Sequence, residues 1–297
     1  MKKPARALRH ARRHGTTLVE LLVALPLAMS LATIAAMLLV RLGHTMRGQS
    51  SAVATARELR QVAQVMSAEL EPLAARHVTI VRDTLLQFRE QLGVLALCAA
   101  PDARSIVAAA PPGSSDRWVG GLRPGDTVRM WATSTAALAP VAQDRALAMV
   151  PQPLPAGGCG TDAELARRWR FILTDSLAQA AAGTPVSVHR DARYRLYLAG
   201  SEWWIGRQSR EGIRWETIQP VGGPFRAPAA GGVALTARDA FGHPLSIEEH
   251  SPDSVRGQVA MIEVLLTMNR RISTGFARSV DSVTVVAPLR ADAFRRH

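Results

Sequence analysis

From Thr16 to Val40 the chain is almost continuously apolar, and Glu20 is its lone ionisable group. Beyond Arg41 the apolar positions thin to a stripe. Leu59, Val62, Met66, Leu70 and Leu73 recur at the spacing of one helix face, while Arg57, Glu58, Arg60, Gln64 and Glu69 fill the other. After residue 76 the period shortens again, to runs and alternations that suit strands. These three regimes predict an α+β protein: one long helix, first apolar all round and then amphipathic, laid over antiparallel strands. As a helix, residues 16–40 would span about 37 Å, enough to cross a hydrocarbon core of ~30 Å with some tilt. Pro72 is the expected end of the amphipathic continuation over 42–75, and Pro26 is expected to kink the apolar part by removing a backbone hydrogen bond.

The strand candidates in the first half are Val78–Val81, Gly93–Leu97, Ile106–Ala109 and Val128–Ala132, parted by joints at Pro111–Gly113 and Pro124–Gly125. A loop over Pro151–Gly160 follows. Thr161 or Asp162 could then cap a helix with Leu165, Trp169, Ile172, Leu173 and Leu177 on one side, a helical insertion at 161–182. In the second half Tyr194, Leu196 and Leu198 alternate with polar residues, and Gly200-Ser201 can turn that strand into Trp203–Arg207. Gly222–Gly232 reads as a flexible joint. Val233–Thr236, the alternating Ala260, Ile262, Val264 and Leu266, and Val280–Ala287 complete the set.

Charge changes the picture in one respect. The chain of 297 residues carries a formal +12, but Lys2, Lys3, Arg6, Arg9, Arg12 and Arg13 supply half of it and no acid offsets them before Gly15. Residues 1–15 therefore read as a basic leader rather than a nucleic-acid footprint, and a basic cluster ahead of an apolar span keeps that end cytoplasmic. Everything after Arg41, with residues 76–297 as a β-rich globular domain, would then face the periplasm or the outside. The apolar run is too long for an ordinary secretory signal core and no clean Ala-x-Ala follows it. Cys98 and Cys159 are the two cysteines; an oxidising compartment permits a bridge between them, and two unpaired buried thiols are the alternative.

His14-Gly15-Thr16-Thr17-Leu18-Val19-Glu20, followed by the apolar run to residue 40, resembles the type IV pilin-like family. A basic leader, a Gly at the cut site, an acid at the fifth mature position and a membrane span all fall in register. The family usually begins its mature chain with Phe or another apolar residue, where this chain has Thr16, which leaves N-methylation there open. The resemblance implies cleavage between Gly15 and Thr16 by prepilin peptidase, anchorage in a bacterial inner membrane, and assembly with other major and minor pilins or pseudopilins on an inner-membrane platform. The β-rich second half, with its Tyr-bearing strand and Gly-turn-Trp hairpin, looks most like the W-type minor pilins and the J-type minor pseudopilins. That implies a type IV pilus or type II secretion pseudopilus subunit at the tip or in assembly priming. In that setting Glu20 would pair with the freed amine of Thr16 on a neighbouring subunit; the alternative is a Glu that reaches to the headgroups. A helix-breaking residue such as Pro26 is frequent in this part of the family's stalk.

Catalytic signatures are absent: no Gly-x-Ser-x-Gly, no phosphate-binding Gly loop, no His-Glu-x-x-His and no Cys-x-x-Cys. The expectation is a non-enzyme without cofactor or metal. Glu248, Glu249, His250 and Asp253 could gather round a cation but read better as a solvated turn. Trp203, Trp204 and Trp215 among Arg207, Arg210 and Arg214 could stack and neutralise single-stranded nucleic acid, as some family members bind DNA; a hairpin with one core Trp and solvated arginines is the favoured alternative. A membrane-anchored binding module is the remaining reading.

Overall fold

The computed structural model describes residues 17–110, 115–132, 141–155, 159, 167–177, 180–270 and 279–290. Helix α1 runs Leu18–Leu70, 53 residues with Pro26 inside it. It stops two residues before Pro72, which cannot supply an N–H to continue the ladder. The chain divides into two compact units: residues 1–53 with 271–278, and residues 54–270 with 279–297. In the first unit α1 contains a stretch long and apolar enough to cross a membrane, none of it buried. Leu21, Leu25, Ile34, Leu38 and Leu39 are all more than two-fifths exposed there. An α-helix that is apolar on every side suits lipid, because its backbone polar groups are satisfied internally.

The second unit is built on two antiparallel sheets. Among the described residues the larger contains β1 (Val78–Arg82), β2 (Leu85–Asp102), β3 (Ser105–Ala109), β4 (Thr127–Ala132), β5 (Val141–Ala146), β6 (Gln152–Leu154), β7 (Arg168–Ile172), β8 (Pro185–Ala199), β9 (Glu202–Glu211), β10 (Arg214–Trp215) and β11 (Gln219–Phe225). Its spine runs β10-β9-β8-β2-β3-β7-β6, with β1 added to β2, β4 and β5 to β8, and β11 to β9. The smaller sheet has the order β13-β12-β14-β15, from β12 (Val233–Arg238), β13 (Pro244–Leu245), β14 (Met261–Arg270) and β15 (Ser279–Pro288). A one-turn helix, α2 (Asp253–Arg256), precedes β14.

One core joins the two sheets and the amphipathic stripe of α1. Leu59, Val62, Met66 and Leu70 pack with Phe88, Tyr194, Leu196 and Ile205 of the larger sheet and Leu235, Ile262 and Val264 of the smaller. Each such side chain contributes about 1.5–3 kcal/mol by leaving water. A second core, around Leu95, Ile106, Val128, Phe171 and Val188, fills the far end of the larger sheet.

Three sequence readings are corrected. The predicted helical insertion is a strand where the chain is described: Arg168–Ile172 is β7, paired with β3 and β6. Arg168-Trp169-Arg170-Phe171 alternates with period two, and this won over the helical spacing of Trp169, Ile172 and Leu173; residues 161–166 lie outside the described set. Gly93–Leu97 is one part of a far longer strand, β2, whose Arg89 and Glu90 are polar because they carry ion pairs. The joint at Gly222–Gly232 is instead ordered as β11 and a short 3-10 turn, Pro228–Ala230. Gly222 belongs there for a steric reason, since a Cβ on it would run into Val62 of α1.

Candidate functional site

Helix α1 begins with a reciprocal lock. The Thr17 backbone N–H donates to Glu20 Oε2 at 2.9 Å and its hydroxyl to the same oxygen at 3.2 Å, while the Glu20 N–H donates to Thr17 Oγ1 at 3.3 Å. This is a capping box, Thr-x-x-Glu, in which two orphan donors of the first turn are satisfied. Glu20 also places a negative charge at the positive end of the helix dipole. The side chain remains exposed, so one carboxylate oxygen holds the cap while the group still faces out from the helix. Gly15 and Thr16, the expected processing residues, lie outside the described residues. The sequence reading missed the cap, although Thr17 three places before Glu20 was the signal for it.

Pro26 does not end the helix, which continues to Leu70. Its missing N–H leaves the Leu22 carbonyl without the usual i+4 donor, and the Ser30 hydroxyl bonds the Pro26 carbonyl at 2.8 Å.

At the other end, α1 is tied to the larger sheet by a polar network inside the second unit. Glu69 Oε2 accepts from the Tyr194 hydroxyl and from Arg207 Nε, both at 2.8 Å. Arg207 also donates to Glu90 at 2.6 Å and to Ser209 at 2.9 Å. Burial, then the Glu69 charge and its hydrogen bond, hold the Tyr194 hydroxyl far above its ordinary titration range. Burial pulls the Arg207 guanidinium down, but Glu69 and Glu90 outweigh it and the net displacement is upward. About three turns earlier on α1, Glu58 accepts from the Gly223 N–H at 3.3 Å.

A third cluster lies on the sheet. His77 and His189 meet edge to face at 4.7 Å between ring centroids, and both are buried. Burial drives His77 down to about 3, with help from His189, Arg129, Arg76 and Arg89. Burial and Arg129 bring His189 down to about 4 against the opposing pull of Asp144. Both rings are therefore neutral at ordinary pH. Asp144 is held below its usual range despite burial, because Arg129 bonds it at 2.6 and 2.7 Å and Arg89 at 2.8 Å. Arg190 clamps Asp126 with two bonds of 2.7 Å.

Cys98 and Cys159 form a disulfide, their Cα atoms 4.6 Å apart. Of the basic residues set among the tryptophans, Arg207 is committed to Glu69 and Glu90, Arg210 to Asp191 at 3.1 Å, and Arg214 is exposed. Trp203 packs on the core, Trp204 lies over Gly223, and Trp215 sits under the Arg193 guanidinium at 4.0 Å. Glu248 pairs with Arg82 at 2.5 Å beside an open groove of about 480 Å³ between β1 and the β12–β13 hairpin. Among the described residues no three His, Cys, Asp or Glu side chains are grouped to hold a metal. No protein-family model, no curated protein and no solved structure matches the chain.

Proposed function

We propose that this chain is a minor prepilin or pseudopilin: cut between Gly15 and Thr16 by prepilin peptidase, held in the inner membrane by α1 with residues 76–297 in the periplasm, and drawn into a type IV pilus or type II secretion pseudopilus as a tip or assembly-priming subunit. The observation that carries this reading is Glu20. It is the one acid in an exposed apolar helix segment, placed five residues after a Gly that ends a basic leader. An acid in hydrocarbon costs roughly 2.5–3.5 kcal/mol at the bilayer centre, less near its edge, and persists where a partner compensates it. Cleavage frees an α-amine at Thr16, and an amine and a carboxylate in a low-dielectric setting attract strongly while each relieves the other's desolvation. The capping box supports the reading further, because it holds the carboxylate at the helix end where a neighbour's amine would arrive. The protein is thus the substrate of a peptidase and a structural subunit, not an enzyme.

Two variants separate charge from cap. Glu20→Gln keeps an acceptor for the Thr17 N–H and loses the charge, whereas Glu20→Ala loses both. Both should insert normally and both should fail to co-purify with other pilin-like subunits. Recovery of Glu20→Gln at the wild-type level would show that Glu20 serves the cap alone. N-terminal mass spectrometry of the native protein should start at Thr16; an intact leader would leave an anchored binding module in its place.

A further inference from the structure

We propose that two copies of this chain join edge to edge through β15, which each would add to the smaller sheet of the other. β15 pairs with β14 from Ser279↔Arg270 to Pro288↔Met261 without a register shift. Beyond that ladder the Leu289 N–H donates to the Ala260 carbonyl at 2.9 Å. In an antiparallel ladder hydrogen-bonded pairs alternate, so Val283, Val285 and Ala287 turn their backbone groups toward β14, and Val280, Ser282, Thr284 and Val286 turn theirs outward. The next outward N–H, that of Arg290, confirms the parity: it donates to the Leu73 carbonyl at 2.8 Å. Among the described residues no backbone partner meets the outward N–H and C=O groups of Val280, Ser282, Thr284 and Val286. The side chains of the same four residues are exposed.

Other edges of the fold are blunted in the ways that prevent strand addition. β10 and β13 are two residues long, and β6 is three with Pro153 in the middle. β11 carries Pro220 and Pro224 and two register shifts. β5 carries Asp144 and Arg145. β15 has ten residues, no Pro before Pro288 and one charge, Asp281. Among the described residues β15 thus offers a long, regular and nearly uncharged edge, a surface for another strand.

The occupant follows from the sequence of the edge itself. Its outward residues read Val280, Ser282, Thr284, Val286. Placed antiparallel on a two-fold axis at Val283, two copies match Val280 with Val286 and Ser282 with Thr284, so every outward residue finds an outward partner. β-branched pairs and Ser–Thr pairs are favourable across strands. Asp281 would face Val285, so no like charges oppose each other, and the core-facing side of one sheet continues into that of the other. The arrangement is isologous and closes at two copies. It goes beyond the proposed assembly role and stands or falls separately from it.

The test uses the full chain in detergent micelles, with two tags. Ser282→Cys in one copy and Thr284→Cys in the other should form a mixed disulfide under mild oxidation, in several-fold excess over Ser282→Cys or Thr284→Cys paired with itself. Wild type should sediment as a concentration-dependent dimer. Thr284→Pro removes one outward N–H that has no backbone partner among the described residues, so the monomer keeps its ladder; Thr284→Lys, a second variant, sets a charge against Ser282 of the other copy and brings the two introduced lysines diagonally together across the two-fold axis. Each should weaken dimerisation at least tenfold, with the thermal transition unchanged at dilutions where wild type is monomeric too. A wild type that stays monomeric throughout, or cross-linking without preference for the Ser282–Thr284 match, or either variant dimerising as wild type does, would overturn the proposal.

Discussion

The two halves of α1 are one helix made for two surroundings. Leu38 and Leu39 are 55% and 70% exposed, while Met66 and Leu70, on the same helix, are 0% exposed. Their side chains are equally apolar. The difference lies in spacing: the first half is apolar on every face, and the second keeps a stripe flanked by Arg57, Arg60 and Gln64. An all-round apolar surface has no preferred side and suits a homogeneous apolar solvent, whereas a stripe fixes which face meets a sheet. Hydrophobicity says that a residue wants to leave water, and periodicity says where it goes.

The sharpest break of this comparison is a matched pair of truncations. Met66→Ala removes a fully buried side chain and should cost about 2–5 kcal/mol of the second unit's stability. Leu38→Ala should leave it unchanged within ~0.5 kcal/mol. Denaturant unfolding of both proteins in the same detergent, followed by tryptophan fluorescence, would read the contrast. Equal losses would mean that the two halves are not differently solvated.

Much of that contrast was legible beforehand. The stripe Leu59, Val62, Met66, Leu70 was named by spacing alone and all four are buried. The hairpin at Gly200 was legible too, because its φ of +63° is a conformation that favours glycine. β2 was not. Its first half is rich in charge because Arg89 and Glu90 find Asp144 and Arg207 in distant parts of the chain, and no local pattern announces a partner 55 or 117 residues away. β7 was misread because Trp169, Ile172 and Leu173 satisfy the helical period by coincidence. At the site, Glu20 stood out as an isolated acid, yet its bond to Thr17 was overlooked. The buried histidines gave no signal, since His77 and His189 are far apart in sequence and each looks like a surface residue by itself.

Those histidines sharpen the comparison through pH. His77 and His189 sit near 3 and 4 in the folded chain against an ordinary 6.5. The unfolded chain therefore takes up protons first as pH falls, and stability drops. The contribution is complete above about pH 6.5 and is lost as pH falls toward 4, on the order of 3 kcal/mol for such a displacement. Melting temperature of the second unit should fall between pH 7 and pH 4.5, and His189→Gln should flatten that dependence. The first half of α1, followed by circular dichroism in detergent, should not respond over the same range.

Next in size is the junction itself. Tyr194→Phe removes one donor to Glu69 while Arg207 stays paired, and should cost about 0.5–1.5 kcal/mol. Glu69→Ala should cost more, about 1–3 kcal/mol, because it strips both the Tyr194 hydroxyl and Arg207 of a half-buried acceptor. If both variants are as stable as wild type, Glu69 is bonded to neither in solution and the helix is held by its stripe alone.

The smallest effect belongs to the start of the helix. Thr17→Ala removes the side-chain acceptor of the Glu20 N–H and should cost about 1 kcal/mol, confined to the first turn. Amide hydrogen exchange would show it as faster exchange at Val19 and Glu20, with Met66 and Leu70 unaffected. The locality is the point. A helix of 53 residues transmits no cap energy along its length, because hydrogen bonds beyond the first turn are made within the helix whatever happens at its end. A Thr17 variant that also loosened Met66 would show that the two halves melt as one cooperative rod, and their division by solvent would then be one of surface only.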